Sequence, residues 1–345
     1  MMNAMPTPFF SGTLAALCAL TMGFAVQRGA MCTVAAVNQI VDERRCGGLL
    51  ALGAASMLVL CGLLLAQALD LMPTLPPDYA VTRSTVLGGV LLGLGASLNG
   101  ACALGTIARI GAAQWSYIAT PIGFYAGCRL GAHGLAAAAP RLVHASPVLQ
   151  APASVALLLA ALIAWLAVCS VKARGMVPAQ KPGHRTKCDD DGPARASWSP
   201  HAATAVIGVS FVFLFVIDGA WSYTDTFADI ARGHTGGVAW RMLLLGALLL
   251  GAMSSGIARA MQGGRDRCAP VALGRLARCL GGGALMGWAS LMIPGGNDTL
   301  VLVAMPLLRP YAWVAFAAIC IATGAASVAR RMLTKWRRPA LRELA

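Results

Sequence analysis

Gly88-Gly89-Val90-Leu91-Leu92-Gly93-Leu94-Gly95-Ala96-Ser97-Leu98-Asn99-Gly100-Ala101-Cys102 starts as a tightly packable apolar helix and breaks in Asn and Gly. A second stretch echoes it: Gly282-Gly283-Ala284-Leu285-Met286-Gly287-Trp288-Ala289-Ser290-Leu291-Met292-Ile293-Pro294-Gly295-Gly296-Asn297-Asp298. Side by side, Gly89 meets Gly283, Gly93 meets Gly287, Leu98 meets Met292, and Cys102 falls opposite Gly296. Matched interrupted segments in two halves of one chain point to a transporter site near the bilayer midplane.

Composition agrees. Of 345 residues, 58% are hydrophobic and 12% are charged, with a mean hydropathy of +0.70. Soluble domains carry about 25% charged residues, so the expected class is an all-α integral membrane protein embedded in a lipid bilayer. Several apolar runs reach the roughly 20 residues that a spanning helix needs. Nothing basic precedes Phe9 and no small-residue cleavage site closes the first run, so that helix is expected to be retained.

The net charge of +14 is clustered: Arg44 and Arg45; Lys172 to Lys187; Arg259 to Arg278; and Arg330 to Arg342. Basic residues collect in cytoplasmic loops because they resist translocation; an electropositive route for an anion is the other reading. No interleaving of basic and aromatic residues suggests nucleic acid.

Placing the basic loops in the cytoplasm orders the spans. Gly47 to Leu71 crosses outward, Thr85 to Gly111 inward, Gln114 to Leu130 outward and Val155 to Val171 inward. Ala202 to Val216 then runs outward, Gly236 to Ala258 inward, Gly281 to Ala304 outward and Tyr311 to Arg330 inward, leaving the C-terminus cytoplasmic. The two broken segments thus cross in opposite senses, an inverted repeat. Residues 1–171 form the first half with a connecting helix, 172–201 a loose cytoplasmic linker, and 202–345 the inverted second half with a basic tail.

The opening element repeats the theme. Phe9 to Val26 is apolar, Gln27-Arg28-Gly29-Ala30-Met31-Cys32 interrupts it, and Thr33 to Ile40 continues. A charged break in a membrane element is costly unless it lines a cavity or is buried in protein, although Arg28 could also snorkel to an interface. The half-helix after a break presents free N–H groups and a partial positive charge, an anion site. The amides around Ala101 to Leu104 and Thr33 to Ala35 are candidates, with the Thr106 hydroxyl. Cys32 and Cys102 would add weak S–H donors. Gly100, Gly295 and Gly296 are expected to permit the breaks. Asn99, Asn297 and Asp298 are the polar candidates, and Arg109 is either an anion contact or an interface anchor.

Gly23 to Cys32, with its Gln-Arg…Cys pattern, and Leu94 to Gly111, with Gly-Ala-Cys…Gly-Thr…Arg, resemble the two first-half signatures of the YeeE/YedE membrane proteins. The resemblance implies an inverted-repeat helical transporter of the bacterial cytoplasmic (inner) membrane, with broken half-helices meeting at a central constriction. It also implies cysteines, here Cys32 and Cys102, that hand on a small sulfur-containing anion, with thiosulfate the leading candidate. A cytoplasmic sulfur-carrier protein would be a typical partner. The departure lies at the second break, where thiosulfate-type members carry a Gly-Cys and this chain has Gly295-Gly296-Asn297-Asp298-Thr299. An ionised Asp298 would repel a dianion; it could instead be protonated, pair with a cation or make the site cation-coupled.

Enzymatic activity is not expected. The eleven cysteines form no Cys-x-x-Cys pair, the five histidines show no ligand spacing, and no P-loop is present, so neither metal nor cofactor is called for. Two other readings stay open: a membrane sulfurtransferase or redox subunit carrying a persulfide on Cys102, and transport of another sulfur or selenium oxyanion or of a proton-coupled solute.

Overall fold

The computed structural model describes residues 8–72, 75–133, 142–143, 157, 159–161, 163–164, 198–261 and 272–342. Most of the expected helix at 155–171 and of the expected linker at 172–201 lie outside these residues. The first half runs α1 (Pro8–Gly29), α2 (Thr33–Glu43), α3 (Gly47–Ala68), α4 (Arg83–Asn99), α5 (Ala103–Gly111), a 3₁₀ turn and α6 (Ala119–His133). The second runs α7 (Pro200–Asp218), α8 (Tyr223–Ala231), α9 (Val238–Met261), α10 (Leu273–Met292), α11 (Asn297–Ala304, its last five residues π-helical) and α12 (Pro310–Arg342). Among the described residues the strands amount to a two-residue antiparallel ladder, Asp78–Tyr79 with Leu142–Val143.

Among the described residues, six helices are long and apolar enough to cross a membrane. A seventh span follows if α10 and α11, bent by 53°, count as one. The all-α membrane class expected from composition is therefore what the chain adopts.

Each short helix is the far side of a break. At Gly100 the backbone turns left-handed with φ 80°, closing α4 through its N–H to the Ala96 carbonyl. Gly295, with φ 111°, turns the chain after Pro294. Both conformations exclude most L side chains. The first break makes do with Ala30 at φ 48°, and it is narrower than the sequence suggested. Gln27 and Arg28 belong to the last turn of α1, so the irregular residues are only Ala30 to Cys32.

Two elements differ further from the sequence expectation. The segment between Val216 and Gly236, which falls between two expected spans, contains the half-helix α8. The second broken segment begins at Leu273 rather than Gly281, because charged residues at its start do not interrupt the helix.

Packing is close because lipid-embedded helices associate through small residues that let backbones touch. In the α6–α10 seam Gly283 faces the Thr120 carbonyl, and Gly127 faces the Ala284 carbonyl. Gly89 and Gly93 of α4 lie against α12, where an added Cβ would come within 2.7 Å of Ala318 Cβ or the Ile319 carbonyl. These seams, with α1 against α7 and α9, α3 against α7 and α4 against α10, hold the breaks within one core.

Candidate functional site

Cys32, Cys102, Ser222 and Gly296 are the N-cap residues of the half-helices α2, α5, α8 and α11. The first two cap each other. The Cys102 N–H donates to Cys32 Sγ at 3.3 Å, and the Thr33 N–H donates to Cys102 Sγ at 3.3 Å. Neither α2 nor α5 has a side-chain cap of its own, so each thiol satisfies an orphan amide on the other helix. Two candidate amides, those of Thr33 and Cys102, are thereby taken up. Gly105 makes room: a Cβ there would sit 2.6 Å from Cys32 Sγ.

The α4–α5 break is locked by side chains singled out from the sequence. Asn99 donates to the Ala101 carbonyl at 2.7 Å and to Thr106 Oγ1 at 3.2 Å, and accepts from the Thr120 hydroxyl at 2.8 Å. Thr106 donates to the Cys102 carbonyl at 3.0 Å. Arg109 donates to the Gly100 carbonyl at 3.2 Å and to Gln114 at 3.1 Å, its guanidinium 4.8 Å from the Tyr117 ring centre. In α1, Arg28 lies 5.3 Å over the Phe24 ring. Gln27 is fully buried, accepting from the Ser255 hydroxyl at 2.6 Å, while its Nε2 has no hydrogen-bond partner among the described residues.

The second-half break is built from hydroxyls and carboxyls instead of thiols. Gly296, opposite Cys102, has an ordinary φ of −83°. It is required for space: a Cβ would collide with Thr224 Oγ1 and come within 2.7 Å of Asp298 Oδ1. Thr224 donates to Asp298 at 2.5 Å. Ser222 bonds Thr299 at 2.8 Å, and Thr299 donates to Asp225 at 2.8 Å. Asn297 donates to Thr33 Oγ1 at 2.9 Å, which ties α11 to α2.

Two cavities reach these caps. The first, of 420 Å³, is lined by Cys32, Asn99, Gly100 and Arg109, and by Arg275, Arg278 and Arg330 against Asp42 and Glu43. The second, of 610 Å³, is lined by Ser222, Gly295, Thr299 and Asp225, with Arg232, Arg241 and Arg309. Arg309 precedes α12 and Arg330 is twenty-one positions on, about 30 Å of helix, so the cavities open toward opposite ends of α12. Thr33, Cys102, Thr224, Asn297 and Asp298 line neither cavity; Cys102 bonds Cys32 on the wall of the first and Thr224 bonds Ser222 on the wall of the second.

A family model described as Sulphur transport matches residues 28–325, a span that takes in all four breaks. The chain belongs to this family, YeeE/YedE. It is a multi-pass membrane protein of sulfur transport. No curated protein matches the chain.

Beside the YeeE/YedE signatures, sequence reasoning missed Ser222, Thr224, Asp225 and Thr120. A signal for Ser222 was present: Gly219-Ala220-Trp221-Ser222 repeats the pattern of Gly29-Ala30-Met31-Cys32.

Proposed function

We propose that the chain takes up thiosulfate through a short constriction between the two cavities, with Cys32 and Cys102 as successive contacts for the ion. The observation that carries this reading is the reciprocal capping of the two thiols, with Cys32 on the wall of an arginine-rich cavity and Cys102 behind it. A backbone amide donates to each sulfur and the two thiols bond one another, so an S–H turned from its neighbouring sulfur is what would donate to an anion. Weak, neutral donors suit passage, because conduction needs binding loose enough to release. Arg109, Asn99 and Thr106 hold the cap of α5 in place, and on the other side Gly295 and Gly296 let Thr299, Thr224 and Asp298 pack against the break.

The halves are related as an inverted repeat. In support, α1 packs on α9 as α7 packs on α3, α4 on α12 as α10 on α6, and α2 on α12 as α8 on α6. In the orientation set by positive charge, the cavity with Arg275, Arg278 and Arg330 faces the cytoplasm of a bacterial inner-membrane protein. Its basic rim is where a sulfur-carrier protein would dock.

The test is growth on thiosulfate of a host lacking its own uptake systems. Cys32→Ala and Cys102→Ala should each abolish growth at unchanged membrane levels. Full growth of the double variant rejects the thiol role.

A further inference from the structure

Asp298 is 2% exposed and, among the described residues, closes no ion pair. The arginines of the second cavity are engaged elsewhere: Arg241 and Arg232 with Asp229 at 2.5 and 3.9 Å, and Arg309 with the Pro76 and Pro77 carbonyls and Asp78. What Asp298 does have is a string of hydroxyls. From Asp225 on the cavity wall the links run to Thr299 at 2.8 Å, Ser222 at 2.8 Å, Thr224 at 3.1 Å and Asp298 at 2.5 Å.

Four oxygen–oxygen links need four hydrogens, and three hydroxyls supply three. With both carboxyls ionised, one buried link would set lone pair against lone pair, a costly arrangement. One proton on either carboxyl completes the string, and its position sets the direction of every bond. Beside Asp298, the buried Asn297 Oδ1 has no partner among the described residues, an open acceptor that a donor in the constriction would satisfy. The titratable and charged groups facing the pair are Tyr223 and Asp229 on α8, Arg232, His234 and Arg241 on the cavity wall shared with Asp225, Cys32 and Cys102 across the breaks, Cys128 on α6, Tyr79, and Arg309 with Tyr311 at the start of α12. None of them closes an ion pair with either carboxyl.

We propose that Asp298 and Asp225 hold one shared proton, loaded from the second cavity, and that the anion crosses only while Asp298 is neutral. A hydronium ion in the cavity gives a proton to Asp225 and is left as water. Thr299, Ser222 and Thr224 then each accept one proton and pass on their own, so that Asp298 gains one, only O–H bonds change and no electrons move. The charge that would repel a dianion beside Cys102 is removed at that step. This inference rests on reading the constriction as the anion path.

Two measurements test it. Infrared difference spectra of the purified protein should show a buried carboxylic-acid C=O band, shifted in D₂O and lost in both Asp298→Asn and Asp225→Asn; absence of the band in the wild type overturns the proposal. In proteoliposomes, labelled thiosulfate uptake should be fully present at low pH on the side of the second cavity. It should fall about tenfold per pH unit above the titration of the pair, whereas the Asp298→Asn profile should be flat. A variant profile superimposable on the wild type overturns the proposal. No thiosulfate flux in the wild type at any pH would instead reject the transport reading, with the infrared band still deciding the shared proton.

Discussion

Replacing Gly105 by Ala probes the pairing of the two thiols without touching either. The new Cβ would lie 2.6 Å from Cys32 Sγ, 2.9 Å from Cys32 Cβ and 3.3 Å from Ala101 Cβ. Non-bonded carbons rest about 3.5–4.0 Å apart, so Cys32 must retreat by about 1 Å. Rotating the thiol alone does not clear its Cβ, so the backbone at the α2 cap moves too. That displacement lengthens the 3.3 Å bond from the Cys102 amide and opens its counterpart from Thr33. Overpacking costs about 1–3 kcal/mol, and losing a cap about 0.5–2 kcal/mol more. In enzymes a 1 Å misplacement costs about 100-fold in rate; here the initial rate of labelled thiosulfate uptake into proteoliposomes should drop by at least about tenfold. The same preparation should unfold at a lower temperature. Gly53→Ala is the control, because among the described residues nothing lies within 4 Å of a Cβ at that helical position. Wild-type uptake and wild-type unfolding in Gly105→Ala would refute the claim that Cys32 works from a fixed seat beside α5.

Gly296→Cys, which writes a third thiol into the second break, should lower uptake rather than raise it, because Thr224 and Asp298 already fill that space; uptake assays at matched protein levels decide. Arg109→Lys keeps the charge but loses the fork to Gly100 and Gln114 and the stacking on Tyr117. It should cost about 1–3 kcal/mol, read as a lower unfolding temperature with thiosulfate present or absent.

Much of the fold was legible because broken apolar segments are rare enough to be informative. Gly100 and Gly295 announced the turns they make, and Cys32 and Cys102 stood where half-helices begin. The half-helix α8 escaped notice because Tyr223-Thr224-Asp225-Thr226 carries too many polar groups to read as a membrane element. Its hydroxyls are tolerable only because they bond to one another and to Thr299 and Asp298, which lie 74 or more positions away. The same distance hid the reason for Gly296. From sequence it looked like a residue permitting a bend, whereas its ordinary φ shows that the need is for space beside Thr224. Arg109 was ambiguous because a cation near a helix end fits several roles, and only the position of the Gly100 carbonyl shows which bond it makes.

A cryo-electron microscopy map of the protein in lipid nanodiscs, taken with and without thiosulfate, bears most directly on the account. Added density should appear at the inner end of the arginine-lined cavity, within hydrogen-bonding reach of the Cys32 and Cys102 sulfurs. Density confined to a site away from both sulfurs, or thiols turned toward the acyl chains, would contradict it.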